Sequence, residues 1–306
     1  MFAAVFPGQG SQKPGMGHSL YENFDAAKQV FDEVSGALQI DVAKLCFESS
    51  EDELRQTQNA QIALYTCGLA AYRALAMEGY ADALAGHSVG EYAAVVASGA
   101  LTVREGARLV WRRGELMKNA PSGTMAAVLG LDALILEDVC RRVDGEVVIA
   151  NDNCPGQLVI SGSHEAVAAA SEKASAAGAK RVLPLNVSGA FHSPLMVDAA
   201  REMGAALNDA AWQPQAKPVY ANVTAGAVEG SASWAGLLER QLSSSVRWTE
   251  TIQAMIANGI TTFVEFGSGE VLTGLLKRID KEATGLAVTD ASTVNEAKLQ
   301  LGGVNA

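Results

Sequence analysis

The pentapeptide GHSVG at residues 86–90 constrains the fold of this 306-residue chain more than any other feature of its sequence. It follows a short apolar run, Ala81–Ala85, and precedes a helical pattern, Glu91–Ser98. A G-x-S-x-G sequence between a strand and a helix is typical of a nucleophile elbow, whose glycines permit a tight turn at the carboxyl edge of a sheet. We therefore predict an α/β fold in which Ser88 is a nucleophile near a helix N-terminus; the alternative is a glycine turn whose serine only caps the helix.

The rest of the chain alternates between short apolar runs and longer helical patterns. Strands are predicted at Phe2–Phe6, Ala81–Ala85, Pro218–Val223, Thr261–Phe266 and Leu286–Thr289, and helices at Tyr21–Leu38, Glu53–Gly79, Glu91–Ser98, Leu101–Ala120 and Val271–Arg278. This alternation favours a mostly parallel sheet with helices on its faces.

Residues 124–188 show a different order of predicted strands and helices from the rest of the chain. The predicted elements are the strand Met125–Leu131, the helix Asp132–Val143, the strands Glu146–Ala150 and Gln157–Gly162, the helix His164–Ala177 and the strand Arg181–Val187. This β-α-β-β-α-β order is the ferredoxin-like arrangement. We predict an inserted ferredoxin-like subdomain at 124–188 within a catalytic core formed by 1–123 and 189–306, with Gly123 and Ser188-Gly189 as the flexible boundaries.

Charge and cysteine content exclude several classes of function. The formal net charge is -11 with a pI near 4.9, so the global basic footprint of a protein that binds nucleic acid or anionic membranes is missing. The four cysteines form no C-x-x-C pair, which disfavours a metal site or a disulfide framework and fits a reducing compartment. Without a signal-peptide pattern or an apolar run of membrane-spanning length, we expect a cytoplasmic protein.

A nucleophilic serine needs a base, and the chain has only four histidines to supply it. His87 is the neighbour of Ser88 in the turn, His164 begins a helix of the insertion, and His18 lies in a polar loop far upstream. His192 precedes a helix N-terminus, whose dipole disfavours imidazolium and keeps the ring neutral. By elimination we predict that His192 is the base; the alternative is a surface-loop histidine.

A third triad member is not evident. Asp198 and Glu265 follow Ser88 in the chain, but neither carries a recognisable signature.

Arg113 lies on the apolar face of the predicted helix Leu101–Ala120. An unpaired buried guanidinium is costly, so this residue needs an anionic partner. Two interpretations of its position are equally good. Arg113 forms an ion pair with a protein carboxylate, or the two-pronged N–H fork of its guanidinium binds a substrate carboxylate.

Two glycine-rich stretches, FPGQGSQ at residues 6–12 and GSG at 267–269, follow predicted strands. Both lack the complete glycine pattern of a nucleotide cradle, and the chain has no P-loop sequence. The first stretch can bring backbone N–H groups close to a ligand, whereas the second is more typical of a tight turn into a helix.

Several of these motifs together resemble one family. FPGQGSQ at 6–12, GHSVGEY at 86–92, the Arg113-Gly114 pair and AFHS at 190–193 are similar to malonyl-CoA:acyl-carrier-protein transacylases, the discrete acyltransferases of bacterial fatty-acid synthesis. NDNCPGQ at 151–157, RQL at 240–242, VRWT at 246–249 and GSGEVLTGL at 267–275 extend the match over nearly the whole chain. The resemblance implies an α/β-hydrolase-like core with an inserted ferredoxin-like subdomain.

The resemblance also implies the roles of individual residues. Ser88 would be the nucleophile, His192 the general base and acid, and Gln241 the residue whose backbone carbonyl orients the imidazole. The backbone N–H groups of Gln9 and Val89 would form the oxyanion hole.

On the substrate side, the resemblance implies that Arg113 clamps the malonyl carboxylate and that Met117 and Phe191 shape the pocket. Phe191 departs from the Ser-His form of several fatty-acid members and resembles the Ala-Phe-His of malonyl-selective acyltransferase domains in polyketide synthases (PKS). The phenylalanine ring would crowd an α-methyl group, which favours malonyl and leaves the pathway open.

The implied activity is ping-pong transfer of a malonyl group from malonyl-CoA to the phosphopantetheine thiol of acyl carrier protein, through a malonyl-serine. The alternatives are a trans-acting PKS malonyltransferase, a serine thioesterase or hydrolase, and a non-catalytic binding module.

We expect a coenzyme A thioester as substrate, no bound cofactor or metal, a transient carrier-protein partner and a monomeric chain. The basic residues Lys180, Arg181, Lys277 and Arg278 are either a docking rim for the acidic carrier or ordinary solvated charges.

Overall fold

The computed structural model describes residues 1–76, 81–187 and 189–302. The strands are β1 Phe2–Phe6, β2 Ala83–Gly86, β3 Thr124–Leu129, β4 Val147–Cys154, β5 Gln157–Gly162, β6 Arg181–Pro184, β7 Val219–Tyr220, β8 Ala227–Val228, β9 Val246–Arg247, β10 Thr262–Phe266 and β11 Thr284–Val288. The helices are α1 His18–Asn23, α2 Asp25–Leu38, α3 Val42–Glu48, α4 Glu51–Arg55, α5 Thr57–Leu75, α6 Gly90–Ala97, α7 Val103–Lys118, α8 Ala133–Arg141, α9 His164–Ala176, α10 Val197–Asp209, α11 Trp234–Gln241, α12 Trp248–Ala257, α13 Val271–Ile279 and α14 Ala291–Gly302. Short 3₁₀ turns lie at Pro194–Met196 and Ser231–Ser233.

The larger sheet has the order β11-β10-β1-β2-β7-β8, and all its pairs are parallel except β7 with β8. Every residue of β1, FAAVF, is buried, as expected for a central strand covered on both faces. Because β1 and β2 run parallel with Phe6 opposite Gly86, the loops that follow them meet at one edge of the sheet. That edge is where an α/β sheet binds its ligands.

The second sheet has the order β6-β3-β5-β4-β9. Its first four strands and the helices α8 and α9 give the β-α-β-β-α-β order predicted for residues 124–188. The fifth strand, β9, comes from later in the chain and pairs parallel with β4, opposite Asn151 and Asp152. The α/β fold class, with a mostly parallel sheet and a ferredoxin-like insertion, is therefore confirmed.

The inserted segment has a hydrophobic core of its own beneath α8 and α9, including Val128, Leu136 and Ile160. Met125 and Val159, on the other side of its sheet, belong to the main core. The boundaries of the two predicted parts stay a prediction, and Ser188 lies outside the described residues.

Two predicted helices are each divided in the structure. The pattern Tyr21–Leu38 spans α1 and α2, which meet at Phe24 in an extended conformation. The pattern Glu53–Gly79 spans α4 and α5, which meet at Gln56; its last residues lie outside the described ones. Apolar periodicity continues across both breaks, so it cannot reveal a single non-helical residue.

Within the ranges that the structure describes, no helix combines the length and the apolar character needed to cross a membrane.

Candidate active site

The turn between β2 and α6 holds Ser88 in the left-handed region, with φ at 53°. The flanking glycines are required because a Cβ on Gly86 would lie 2.0 Å from the carbonyl oxygen of Gly90. A Cβ on Gly90 would lie 2.2 Å from the carbonyl oxygen of Phe6. Only glycine fits at both positions, and the strained serine between them is the geometry of a nucleophile elbow.

The strained turn is held from outside by Asn222, just beyond β7. The backbone N–H of Ser88 donates to Asn222 Oδ1 over 2.8 Å, and Asn222 Nδ2 donates to the carbonyl oxygen of Gly86 over 2.7 Å. One side chain thus bonds the residues on both sides of His87 and fixes the turn.

His192 lies against the serine. Its Nε2 is 2.8 Å from Ser88 Oγ, and its Nδ1 is 2.8 Å from the carbonyl oxygen of Gln241 and 3.2 Å from that of Ser244. A carbonyl oxygen can only accept, so Nδ1 carries the hydrogen and Nε2 is free to accept the Ser88 proton. Burial, with the positive charge of Arg113 second, lowers the pKa of His192 to about 3, so the ring is neutral at pH 7.

The backbone also positions His192, whose φ is 59°. Its N–H donates to the carbonyl oxygen of Leu242, and the next residue, Ser193, donates its hydroxyl to the carbonyl oxygen of Ala190. Ser193 Oγ also accepts the N–H of Leu195, so it caps the turn that begins at Pro194. The imidazole is thus set by the chain around it as well as by Gln241.

The other three histidines have different partners. His87 Nε2 is 2.8 Å from Asn153 Oδ1, and the His87 ring packs edge-on against Trp248. His18 lies 3.4 Å from the exposed Glu22, and His164 Nε2 lies 3.1 Å from Ser122 Oγ.

The two acidic residues considered for the triad lie elsewhere. Asp198 forms an exposed ion pair with Arg201, and Glu265 accepts the N–H groups of Leu272 and Thr273 at the start of α13. At the Nδ1 side of His192, a backbone carbonyl stands where a triad would have a carboxylate.

Arg113, on α7, is 1 % exposed and reaches Ser88. Its Nη2 donates to Ser88 Oγ over 3.2 Å and to Gln241 Oε1 over 3.0 Å, and its Nη1 donates to Gln61 Oε1 over 2.7 Å. No carboxylate of the described residues forms a direct ion pair with it. The sequence left two interpretations of Arg113 open, and the first of them, a direct ion pair with a carboxylate of the protein, is therefore wrong within the described residues.

The loop after β1 packs closely on the elbow. A Cβ on Gly8 would lie 2.7 Å from the carbonyl oxygen of His87, so only glycine permits this approach. The next residue, Gln9, lines the same cavity as Ser88, and Val89 is the N-cap of α6. Of the two residues predicted for the oxyanion hole, one thus follows Ser88 in the chain and the other lines the same cavity, and their role stays a prediction.

Gln9, Ser88 and His192 line a cavity of about 340 Å³. Met117 and Phe191 line it, as the resemblance implies, together with Ser88 and His192. The inserted segment contributes a second wall of Met125, Asn151 and Leu185–Val187. Among the described residues, no three His, Cys, Asp or Glu side chains cluster as metal ligands.

Comparison with known proteins identifies the family. A model of the acyl transferase domain matches residues 3–297. The chain is 44% identical over 302 residues to a malonyl CoA-acyl carrier protein transacylase of Bacillus subtilis, a match that covers 96% of this chain and 95% of the relative. The chain belongs to the malonyl CoA-acyl carrier protein transacylase family.

Solved structures of other transacylases agree with this membership. An acyl-carrier-protein-S-malonyltransferase from Bartonella henselae superposes with a TM-score of 0.95 at 42% identity, covering 98% of this chain and 99% of that one. A malonyl-transacylase solved in complex with a type II PKS acyl-carrier protein gives 0.94 at 38% identity, with coverages of 98% and 99%. The family resemblance inferred from the motifs is confirmed.

Four buried polar residues of this transacylase site were missed by sequence reasoning. They are Gln61, Glu91, Asn151 and Asn222. Asn151 and Glu91 lie inside motifs quoted for the resemblance, but no spacing rule gives them a role. Gln61 and Asn222 gain theirs only from contacts across 52 and 134 positions of the chain.

Proposed function

We propose that this chain transfers a malonyl group from malonyl-CoA to the phosphopantetheine thiol of an acyl carrier protein, and that the product feeds fatty-acid synthesis. One observation carries the proposal. Ser88 Oγ lies 2.8 Å from the imidazole of His192 and 3.2 Å from the guanidinium of the buried Arg113, and Ser88 and His192 line one cavity. A nucleophile, a base and a carboxylate-binding fork are what transfer of a malonyl group requires.

In the first half-reaction, His192 Nε2 takes the proton of Ser88 as Oγ attacks the thioester carbon of malonyl-CoA. The bond from Nδ1–H to the Gln241 carbonyl holds the required tautomer and steadies the imidazolium. The backbone N–H groups of Gln9 and Val89 bind the oxyanion. Coenzyme A then leaves as a thiol with the proton from His192, and malonyl-Ser88 remains.

In the second half-reaction, the phosphopantetheine thiol gives its proton to His192 and attacks the ester carbon. The same two N–H groups bind the second oxyanion. Ser88 Oγ leaves and recovers its proton from Nε2, which completes a ping-pong cycle.

Arg113 selects the acyl group. In the free enzyme, Ser88 Oγ accepts a hydrogen bond from Arg113 Nη2. After acylation Oγ is an ester oxygen, and the same Nη2 N–H donates instead to the malonyl carboxylate, together with a second N–H from Nη1. An acetyl group supplies no anion, and leaving a buried charge without a partner costs about 3–5 kcal/mol. Phe191, on the cavity wall, would hinder an α-methyl group on the substrate.

A serine hydrolase would use the same elbow and base with water as the acceptor. Arg113 favours the transferase, because a simple esterase has no need of a buried cation 3.2 Å from its nucleophile.

Intact mass spectrometry after incubation with malonyl-CoA tests the choice. We expect one malonyl group on Ser88 that persists in buffer and is discharged by holo acyl carrier protein. Rapid loss to water without the carrier would favour the hydrolase, and no labelling at all would favour a binding module.

The carrier protein is proposed to dock through charge, because these carriers are acidic. Of the four basic residues named above, Arg278 binds Gln157 Oε1 and the Pro155 carbonyl, and Lys180 packs on Gly130. All four are exposed. The proposal is supported by the similar transacylase solved with a type II PKS acyl-carrier protein, which also keeps PKS supply as the second candidate. Discharge rates with fatty-acid and PKS carriers would separate the two pathways.

We further propose a cytoplasmic monomer that works without a bound cofactor. Size-exclusion chromatography with light scattering tests the monomer, and activity after dialysis against a chelator tests the cofactor.

A further inference from the structure

We propose that Glu91 is a positioning residue of the transfer reaction: its buried carboxylate fixes the orientation of the Gln241 side-chain amide, and this amide sets Arg113 where the substrate carboxylate binds. The inference rests on the proposed function and deepens it. The mechanism above gives this glutamate no role, although it immediately follows the GHSVG turn.

Glu91 is 1 % exposed, and each carboxylate oxygen accepts a hydrogen bond. Oε1 accepts the backbone N–H of Asn222 over 2.8 Å, and Oε2 accepts from the side-chain Nε2 of Gln241. A carboxylate has only acceptor atoms, so the end of the Gln241 amide that faces it must be the NH₂ group.

The orientation of this amide decides what Arg113 meets. Gln241 Nε2 also donates to the carbonyl oxygen of Ser88 over 2.8 Å, and Oε1 accepts from Arg113 Nη2 over 3.0 Å. If the amide were turned over, an NH₂ group would face the guanidinium and repel it. The carboxylate of Glu91 thus controls, through one intervening amide, whether Arg113 has an acceptor beside Ser88.

The Glu91 carboxylate also offsets the positive charge of Arg113 without occupying the N–H groups of its guanidinium fork. Arg113 is buried, and Glu91 is an acid held near it with Gln241 between them. A direct ion pair would compete with a substrate carboxylate for the same N–H groups. An indirect pair offsets the buried charge and leaves the fork available.

Besides Arg113, a titratable group that interacts with this carboxyl is Tyr92, the next residue in the chain, whose ring lies under the Arg113 guanidinium. Burial raises the pKa of Glu91 to about 7, although the Asn222 N–H, the Gln241 amide and the Arg113 charge each act to lower it. The ionised form that the orienting role needs therefore predominates only above about pH 7.

Glu91→Gln tests the proposal with little change in volume. The new amide oxygen can still accept the Asn222 N–H, but the new NH₂ group then faces the NH₂ group of Gln241. The Gln241 amide then either turns over, which presents NH₂ to Arg113 and Oε1 to the Ser88 carbonyl oxygen, or it moves away from residue 91; both weaken its hold on Arg113. Glu265→Gln is the matched control, because Glu265 is a fully buried carboxyl that accepts backbone N–H groups of α13 and does not line the cavity.

The measurement is the kcat/KM for acylation of Ser88, from rapid-quench intact mass, with malonyl-CoA and acetyl-CoA on the same preparation. Loss of a hydrogen bond to a charged group predicts a fall of about tenfold or more with malonyl-CoA in Glu91→Gln. Acetyl transfer should fall much less, since it does not use the fork. Glu265→Gln should lower the melting temperature and leave the malonyl-to-acetyl ratio unchanged.

An equal loss of both activities, or no loss, in folded Glu91→Gln would overturn the proposal. If that variant does not fold, Gln241→Met removes the same amide and keeps the backbone carbonyl that His192 uses; an unchanged malonyl-to-acetyl ratio there would also overturn it. Absence of malonyl labelling in the unaltered protein would instead refute the proposed function itself, so the two failures are distinguishable.

Discussion

Replacement of Arg113 by alanine should abolish the preference for malonyl over acetyl without abolishing acyl transfer. In the structure, Arg113 Nη2 donates to Ser88 Oγ, and Nη1 donates one N–H to Gln61, so a second Nη1 N–H and the Nη2 N–H are the two donors expected to bind the malonyl carboxylate. Each hydrogen bond from a charged donor contributes about 1.5–3 kcal/mol, so two of them give about 3–6 kcal/mol. At 1.4 kcal/mol per tenfold, kcat/KM with malonyl-CoA should fall by roughly 10²–10⁴-fold. Acetyl transfer should be unchanged or should rise.

Rapid-quench mass spectrometry of Ser88 acylation with the two thioesters measures both rates on one preparation. The ratio of the rates corrects for any fraction of unfolded protein. Arg112→Ala is the matched control, because Arg112 is the neighbouring residue on α7 and forms a half-exposed ion pair with Glu202. Equal losses of malonyl and acetyl transfer in Arg113→Ala would refute the reasoning and leave Arg113 a purely structural cation.

The other expectations concern the nucleophile, the base and the pocket wall. Ser88→Ala should show no acyl-enzyme by mass spectrometry, and persistent labelling would mean a different nucleophile. Between about pH 3 and 6.5 the unfolded chain binds a proton at His192 that the folded chain does not bind, so the free energy of unfolding should rise with pH in this range. Urea titrations at several pH values should show a smaller rise in His192→Gln than in the unaltered protein. An equal rise in both would contradict the lowered pKa. Phe191→Ser should raise the methylmalonyl-to-malonyl acylation ratio, and an unchanged ratio would remove Phe191 from selectivity.

The parts of the site that could be predicted are those that local chain rules control. The GHSVG turn could be predicted as a nucleophile elbow because a strand, two required glycines and a helix follow one another within a few residues. His192 could be found by elimination among four histidines. In both cases the signal lies in neighbouring positions or in the small number of candidates.

The rest of the site depends on contacts between distant segments. Asn222 holds Ser88 from 134 positions away, and the carbonyl that orients His192 belongs to Gln241, 49 positions further along the chain. A backbone carbonyl has no residue type, so Gln241 was predicted for this role only through the family resemblance and not from a local sequence rule. The pairing of β9 with β4 was missed for the same reason, since β9 is only the two residues Val246–Arg247.

In the proposed mechanism Arg113 would act on the base as well as on the substrate, which is why acetyl transfer should be unchanged or rise in the alanine variant. After burial, its positive charge is the next largest cause of the low pKa of His192, and a base with so low a pKa removes a proton poorly. A malonyl carboxylate on Arg113 offsets that charge, so the pKa of His192 should rise as the correct substrate binds. An acetyl group brings no negative charge and leaves the base weak. By this reasoning the cation would discriminate twice, in binding and in proton transfer, and its removal should raise the pKa of His192 for both thioesters while it removes the binding site for only one.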